Sequence, residues 1–228
     1  MDKTNNHIEP ESFSYYAVTQ AFMNSVLKEY GNAILSVGGR VEHIVSHLPL
    51  YSKVIHVTMI PIEKIGELKE LQGYLNFEIK EINKDFFEIE KEALAGVDVE
   101  TCISHATLHC MNDARYGNDE SKSIRGYLFA KKLVELCPKI KHVVISAAVS
   151  NVDKAVTTYS RSLDNGLLIQ SFLDQNFELK RCLYDKGVLH ANNYGVNERF
   201  SEEFPSSFCD DHVYVLGNYY FERRNLRS

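Results

Sequence analysis

The sequence predicts an α/β fold, a three-layer αβα sandwich around a seven-stranded, mostly parallel sheet with one antiparallel strand. Three observations predict it. Short apolar runs alternate with helix-like segments over most of the 228 residues, the pattern of strands joined by crossover helices. One run, HVVISAAV at 142–149, is apolar almost throughout, as a central strand covered on both faces must be. The last two apolar runs have no helical period between them, so they pair most simply antiparallel.

Residues 1–11 are polar and read as a flexible leader, and 12–228 as a single domain. Phe13, Tyr16, Val18, Phe22, Met23, Val26, Leu27 and Tyr30 fall largely on a helical stripe, which Gly31 closes. The alternation then gives a strand at 33–37, a short helix at about 41–48, a strand at 54–59, a helix around 63–71 and a strand at 75–82. A fourth strand is expected at 98–104, a long helix at 121–136 ending before Pro138, and the fifth strand at 142–149. The segment 164–175 suits a helix with Asp164 in its first turn, 177–184 a sixth strand, and HVYVLGNYYF at 212–221 the last. The connection 185–211 has no clear period and is long for a compact domain, which marks it as a functional flap or as structure the pattern does not reveal.

With 44% hydrophobic and 25% charged residues, the chain can bury one sizeable core. A formal charge of −6 and a pI near 5.9 argue against a surface that neutralises nucleic-acid phosphates. Five cysteines without CxxC pairing point to a reduced, cytoplasmic protein. No stretch of about 18 apolar residues suggests membrane insertion. A homo-oligomer is left open.

The stretch most suggestive of a ligand is NAILSVGGRVEHIVSHL at 32–48. A strand ending in Val37, Gly38 and Gly39 before a helical pattern offers backbone amides at the carboxyl edge of a sheet, where open α/β folds bind ligands. Arg40 stands where a third close glycine would complete a dinucleotide fingerprint, so that fingerprint is disfavoured. A tight strand-to-helix turn without a ligand explains the glycines equally well.

The strand order and the glycine turn together resemble the S-adenosylmethionine-dependent methyltransferase fold. The segment CISHATLHCMNDARYG at 102–117, followed by ISAAVSNVDKAVTTYSRSL, is similar to a methyltransferase-like family of bacterial and nematode proteins. In that family the fourth strand leads into H-x-x-x-E-H and then R-Y-G-D. His105 and His109 match the two histidines, Arg115, Tyr116 and Gly117 the triplet, and Arg161 a downstream arginine. Leu108, Asn118 and Ser160 depart from the family's glutamate, aspartate and histidine.

The resemblance implies S-adenosylmethionine as cofactor, held by Val37, Gly38 and Gly39, by Thr58 at the end of strand two, by Asp85 after strand three and by Ser104 at the end of strand four. Methyltransferases place an acidic residue where Thr58 stands, and a hydroxyl is the weaker acceptor. Glu63 is an alternative from the following helix, and Glu81 or Asn83 are alternatives to Asp85. Methyl transfer to a hydroxyl needs a base, and His109 or His105 suits that role near neutral pH. Arg115 and Arg161 suit an anionic part of the acceptor through bidentate hydrogen bonds, with Tyr116 packing over it, although Arg115 could equally staple its loop to Asp113 or Asp119. His105, His109 and Cys110 supply two imidazoles at an i, i+4 interval and a thiolate, but no paired-cysteine or HExxH pattern supports a zinc site.

The expectation is therefore a methyltransferase of a small polar acceptor, a sugar or surface-polysaccharide intermediate. The alternative is a methyltransferase-shaped binding or scaffold protein without catalysis. A nicotinamide-dependent reductase is disfavoured by the incomplete glycine pattern and the reversed last strand.

Overall fold

The computed structural model describes residues 21–27, 33–38, 53–58, 78–105, 107–108, 121–152, 162–189 and 212–224. Its strands are β1 (Ala33–Val37), β2 (Lys53–Thr58), β3 (Glu78–Asn83), β4 (Val99–His105), β5 (His142–Ser150), β6 (Leu163–Asp164), β7 (Phe177–Leu189) and β8 (His212–Arg223). Its helices are α1 (21–26), α2 (Ser121–Leu136) and α3 (Asn165–Leu173). The sheet runs β3-β2-β1-β4-β5-β8-β7, and the two-residue β6 joins the end of β5. From β3 to β5 every pairing is parallel, whereas β8 is antiparallel to both β5 and β7. The predicted fold class is observed, with the reversed strand one in from the edge.

Burial explains the order. All five residues of β1 are buried, as are the seven inner residues of β5, so both occupy the middle of the sheet. The edge strand β3 alternates between exposed and half-buried residues, with charges turned to solvent. On one face, Phe22, Met23 and Leu27 cover Ile34, Val54, Ile103 and Val144. On the other face, α2 and α3 bring Phe129, Leu133, Leu168 and Phe172 against Leu35, Val57 and Ile145.

An aromatic chain ties the turn after β3 into this second layer. Phe86 lies 4.7 Å from Phe129, Phe129 6.3 Å from Phe172, and Phe172 stacks on Phe221 at 4.4 Å between ring centroids. The Asp164 carboxylate caps α3, accepting from the Leu167 amide at 2.8 Å and from Asn151 Nδ2 at 2.6 Å.

Several boundaries differ from the sequence expectation. Asp164 stands just outside α3 as its cap, and that helix ends at Leu173 rather than 175. The sixth apolar run does not stop at 184, because β7 continues to Leu189 and pairs down to Leu189–His212. Asp185, Lys186 and Gly187 hid this extension, since an edge strand tolerates polar residues and its pairing partner lies far along the chain. Likewise β8 extends to Arg223. Leu163–Asp164 adds an eighth, two-residue strand that no periodicity could reveal. The helices expected at 41–48 and 63–71, the leader, and 190–211 lie outside the described residues.

Phe129→Ala should remove about 3–5 kcal/mol of stability, because the ring is fully buried between Phe86 and Phe172. Urea unfolding of the variant against the wild type measures it, and a loss below about 1 kcal/mol would contradict the packing described.

Candidate functional site

At the carboxyl edge of the parallel strands, β1 ends at Val37 and the chain turns at Gly38. Gly38 has φ +64°, the left-handed region where glycine carries no penalty. Its amide donates to the Val57 carbonyl at 2.7 Å, continuing the ladder to β2. A Cβ there would collide with the Thr107 side chain, whose hydroxyl in turn donates to the His105 carbonyl at 2.8 Å. The expectation of free amides after β1 is therefore corrected at Gly38. Its N–H is already bonded, and its missing side chain lets the loop after β4 close onto β1. Gly39 lies outside the described residues.

The two faces of the sheet differ at this edge. Val37 is buried in the layer beneath α2 and α3, at 1% exposure. Ser104 pairs in register with Val37 and Ile145 and points to the same layer. It is fully buried, and its Oγ has no hydrogen-bond partner.

On the α1 face the same level is polar. Thr58 pairs with Asn83, His105 with Ser146, and Ser146 with Asn218. Gly38, one residue beyond the Val37–Ser104 pair, fills the place between Thr58 and His105. Thr58, His105, Ser146 and Asn218 are all buried, at 8%, 4%, 2% and 0% exposure. A polar band thus crosses the sheet at its carboxyl edge, directly above the apolar patch under α1.

One level lower, His56 pairs with Ser36, and His56 Nδ1 shares a hydrogen bond of 3.0 Å with Ser36 Oγ. His56 is fully buried, its Nε2 has no partner, and burial brings the imidazole down to about 4. It is held neutral at physiological pH.

The Asp85 carboxylate caps the short turn after β3, accepting from the Phe87 amide at 2.9 Å, and Asp85 is 6% exposed. Its position after β3 is as expected. Leu108, where the resembled family has glutamate, is fully buried in the core. His109, Arg115, Tyr116 and Arg161 lie outside the described residues, so of the proposed acceptor and proton-transfer groups only His105 is placed. Among the described residues no group of three metal-ligating side chains occurs. Burial pushes the Cys137 thiol up to about 12 and Cys102 well above its usual range, which makes both poor nucleophiles.

Four residues escaped the sequence reading. Ser146 and Asn218 each interrupt an otherwise apolar strand, and that interruption was the available signal. Among the described residues Arg125 is the largest fully buried side chain, and its i, i+4, i+8 spacing with Phe129 and Leu133 places it on the buried stripe of α2. Thr107 had no signal, because only the fold brings it against Gly38.

The carboxyl edge brings together the left-handed glycine turn after β1 and the buried carboxylate of Asp85 after β3. At the end of β2 it supplies the Thr58 hydroxyl in place of a carboxylate.

No family model matches the sequence, and no curated protein matches it. Solved structures do match the fold. One is a candidate methyltransferase from Bacillus halodurans C-125, with 10% identity, a TM-score of 0.59, and coverage of 90% of this chain and 99% of that one. A second is the N-methyltransferase NodS from Bradyrhizobium japonicum WM9 in complex with S-adenosyl-L-homocysteine, with 10% identity, a TM-score of 0.57, and coverage of 96% and 90%. A third is the 4+2 cyclase SpnF, with 10% identity, a TM-score of 0.55, and coverage of 91% and 81%. The chain has the Rossmann-like fold of the S-adenosylmethionine-dependent methyltransferases. Among the described residues no helix is long and apolar enough to cross a membrane.

Two outcomes follow from this geometry. Gly38→Ala should cost about 1–2 kcal/mol for the left-handed backbone and more for the conflict with Thr107. In urea unfolding, adding Thr107→Gly should restore the steric share alone; equal stability of both variants would show that Thr107 does not fill the slot. The second concerns His56, whose folded pKa of about 4 lies below its unfolded value. The unfolded chain therefore binds the extra proton between about pH 6.5 and pH 4, and stability falls as pH drops through that window, by about 3 kcal/mol in all. A His56→Gln variant should lose correspondingly less between pH 7 and pH 4, and identical pH profiles would remove His56 from the acid response.

Proposed function

We propose that this chain is an S-adenosylmethionine-dependent methyltransferase of a small polar acceptor, a sugar or surface-polysaccharide intermediate in the reading the family resemblance suggests. The observation that carries it is the fold, a mostly parallel sheet with a reversed β8, which is similar to that of NodS, solved with S-adenosyl-L-homocysteine. When bound, the cofactor supplies a methyl group on a sulfonium, and its demethylated product leaves.

In this reading the chain's own groups bind and orient: the turn of Val37, Gly38 and Gly39 sets the loop beside the cofactor, Thr58 and Asp85 hold its nucleoside part, and Ser104 supports it from the end of β4 on the α2 and α3 side of the sheet. His105 or His109 accepts the acceptor's hydroxyl proton as the acceptor oxygen is methylated. Arg115, Tyr116 and Arg161 fix the acceptor's orientation.

A second reading, a binding protein of the same shape without methyl transfer, is favoured by two observations. Thr58 provides no carboxylate, and the Gly38 amide is bonded to Val57. Calorimetry separates the two. S-adenosylmethionine and S-adenosylhomocysteine should each bind the full chain with a micromolar Kd, and the absence of heat at millimolar ligand would leave the binding-protein reading.

A further inference from the structure

We propose that Asn165, the first residue of α3, is a self-modification site: the fold activates its side-chain amide for attack by the Gly166 backbone nitrogen, which converts it to a succinimide and then to aspartyl and isoaspartyl forms. The proposal does not depend on the methyltransferase reading.

The site is assembled from α3, β7 and β8. Asn165 opens α3 beside the cap Asp164, and it is the only asparagine in the sequence followed by glycine. From β8, Tyr219 Oη donates to Asn165 Oδ1 at 2.6 Å, and from β7, Tyr184 Oη donates to the same oxygen at 3.1 Å. Gly217 makes room for the first of these bonds, because a Cβ there would collide with the Tyr219 phenol. Burial raises both phenols above their ordinary range, so they remain protonated donors at neutral pH.

Two donors on one carbonyl oxygen act on this amide as an oxyanion hole acts on a scissile carbonyl. They draw electron density from Cγ and stabilise the negative charge that forms on Oδ1 when a nitrogen attacks. The nucleophile is equally well placed in the sequence. The Gly166 N–H belongs to the first turn of α3, where no carbonyl within the helix can accept it, and Asp164 Oδ1 accepts from the Leu167 amide instead. The positive end of the helix dipole favours loss of the amide proton. Gly166 is exposed, and, chain neighbours aside, only Asp164 Oδ1, at 3.4 Å, comes within 4 Å of the place where a side chain would begin.

In the reaction the Gly166 nitrogen gives its proton to water and bonds to Asn165 Cγ. The Cγ–Nδ2 bond breaks, and Nδ2 takes up a proton and leaves as ammonia. Water then opens the cyclic imide: cleavage at Cγ leaves an aspartyl residue, and cleavage at the backbone carbonyl leaves the isoaspartyl form, with the main chain running through Cγ. The aspartyl carboxylate meets the same two phenol donors and the positive end of α3, whereas the isoaspartyl form lengthens the backbone of the first turn by one carbon.

Peptide mass mapping of the full chain, incubated at neutral pH, follows conversion at Asn165, with the same chain unfolded in guanidinium chloride as reference. Conversion should be faster in the folded chain than in the unfolded one, and should give both aspartyl and isoaspartyl products. Tyr184→Phe and Tyr219→Phe should each slow the folded chain about fivefold and leave the unfolded rate unchanged. A folded rate at or below the unfolded one, phenylalanine variants that convert as fast as the wild type, or aspartyl product alone would overturn the proposal. If Tyr219→Phe does not fold, Tyr184→Phe, at the half-buried phenol, decides between the same outcomes.

Discussion

The parallel ladder through β2, β1, β4 and β5 is the constraint on which the rest depends. Its register puts partnered residues on the same face and at the same height. The face under α2 and α3 carries Val37, Val57 and Ile145 up to the carboxyl edge, with the buried Ser104 between Val37 and Ile145 as its polar interruption. The face under α1 is apolar only in its lower part, where Ile34, Val54, Ile103 and Val144 meet Phe22 and Met23. Above that patch it turns polar on every strand. A slip of one residue in any ladder would send the polar band into the larger core and the apolar residues to the edge, so the same pairing that stabilises the sheet also fixes where chemistry can occur.

That division shows what the glycine after β1 does. Gly38 looked like a place for a ligand to approach the backbone, yet its amide is bonded within the sheet and its side-chain space is taken by Thr107. Its effect on function is indirect. By admitting Thr107 it draws the loop after β4 over β1, and Thr107 holds the His105 carbonyl. The position of the histidine at the end of β4 is thus coupled to a conformational requirement on a different strand.

The fold was legible because burial on both faces leaves a strong trace in sequence. β1 and β5 could be read from AILSV and HVVISAAV alone, and the reversed last strand from the absence of a helix before it. What could not be read depends on non-local pairing. The Asp185–Leu189 extension of β7 is stabilised by β8, and the two residues of β6 by the end of β5, so neither has a local signature. The site follows the same rule. His105 and Thr58 could be singled out in the sequence because they sit at strand ends, whereas only the register sets Ser146 beside His105 and Asn218 beside Ser146. A serine in an apolar strand has no assigned partner until the sheet supplies one.

The likeness to NodS and to the cyclase SpnF shows why the fold alone does not decide the reaction, since one architecture serves both. The buried groups on this chain's own α1 face carry more weight. His56 demonstrates the electrostatic character of that face: desolvation holds its imidazole neutral even with a hydroxyl beside it. The same desolvation gives a physical account of Thr58, because a carboxylate at 8% exposure would have to be desolvated, whereas a hydroxyl there needs only a hydrogen bond. Uncharged polar groups thus occupy the buried band on this face, from Thr58 at the end of β2 to Asn218 on β8.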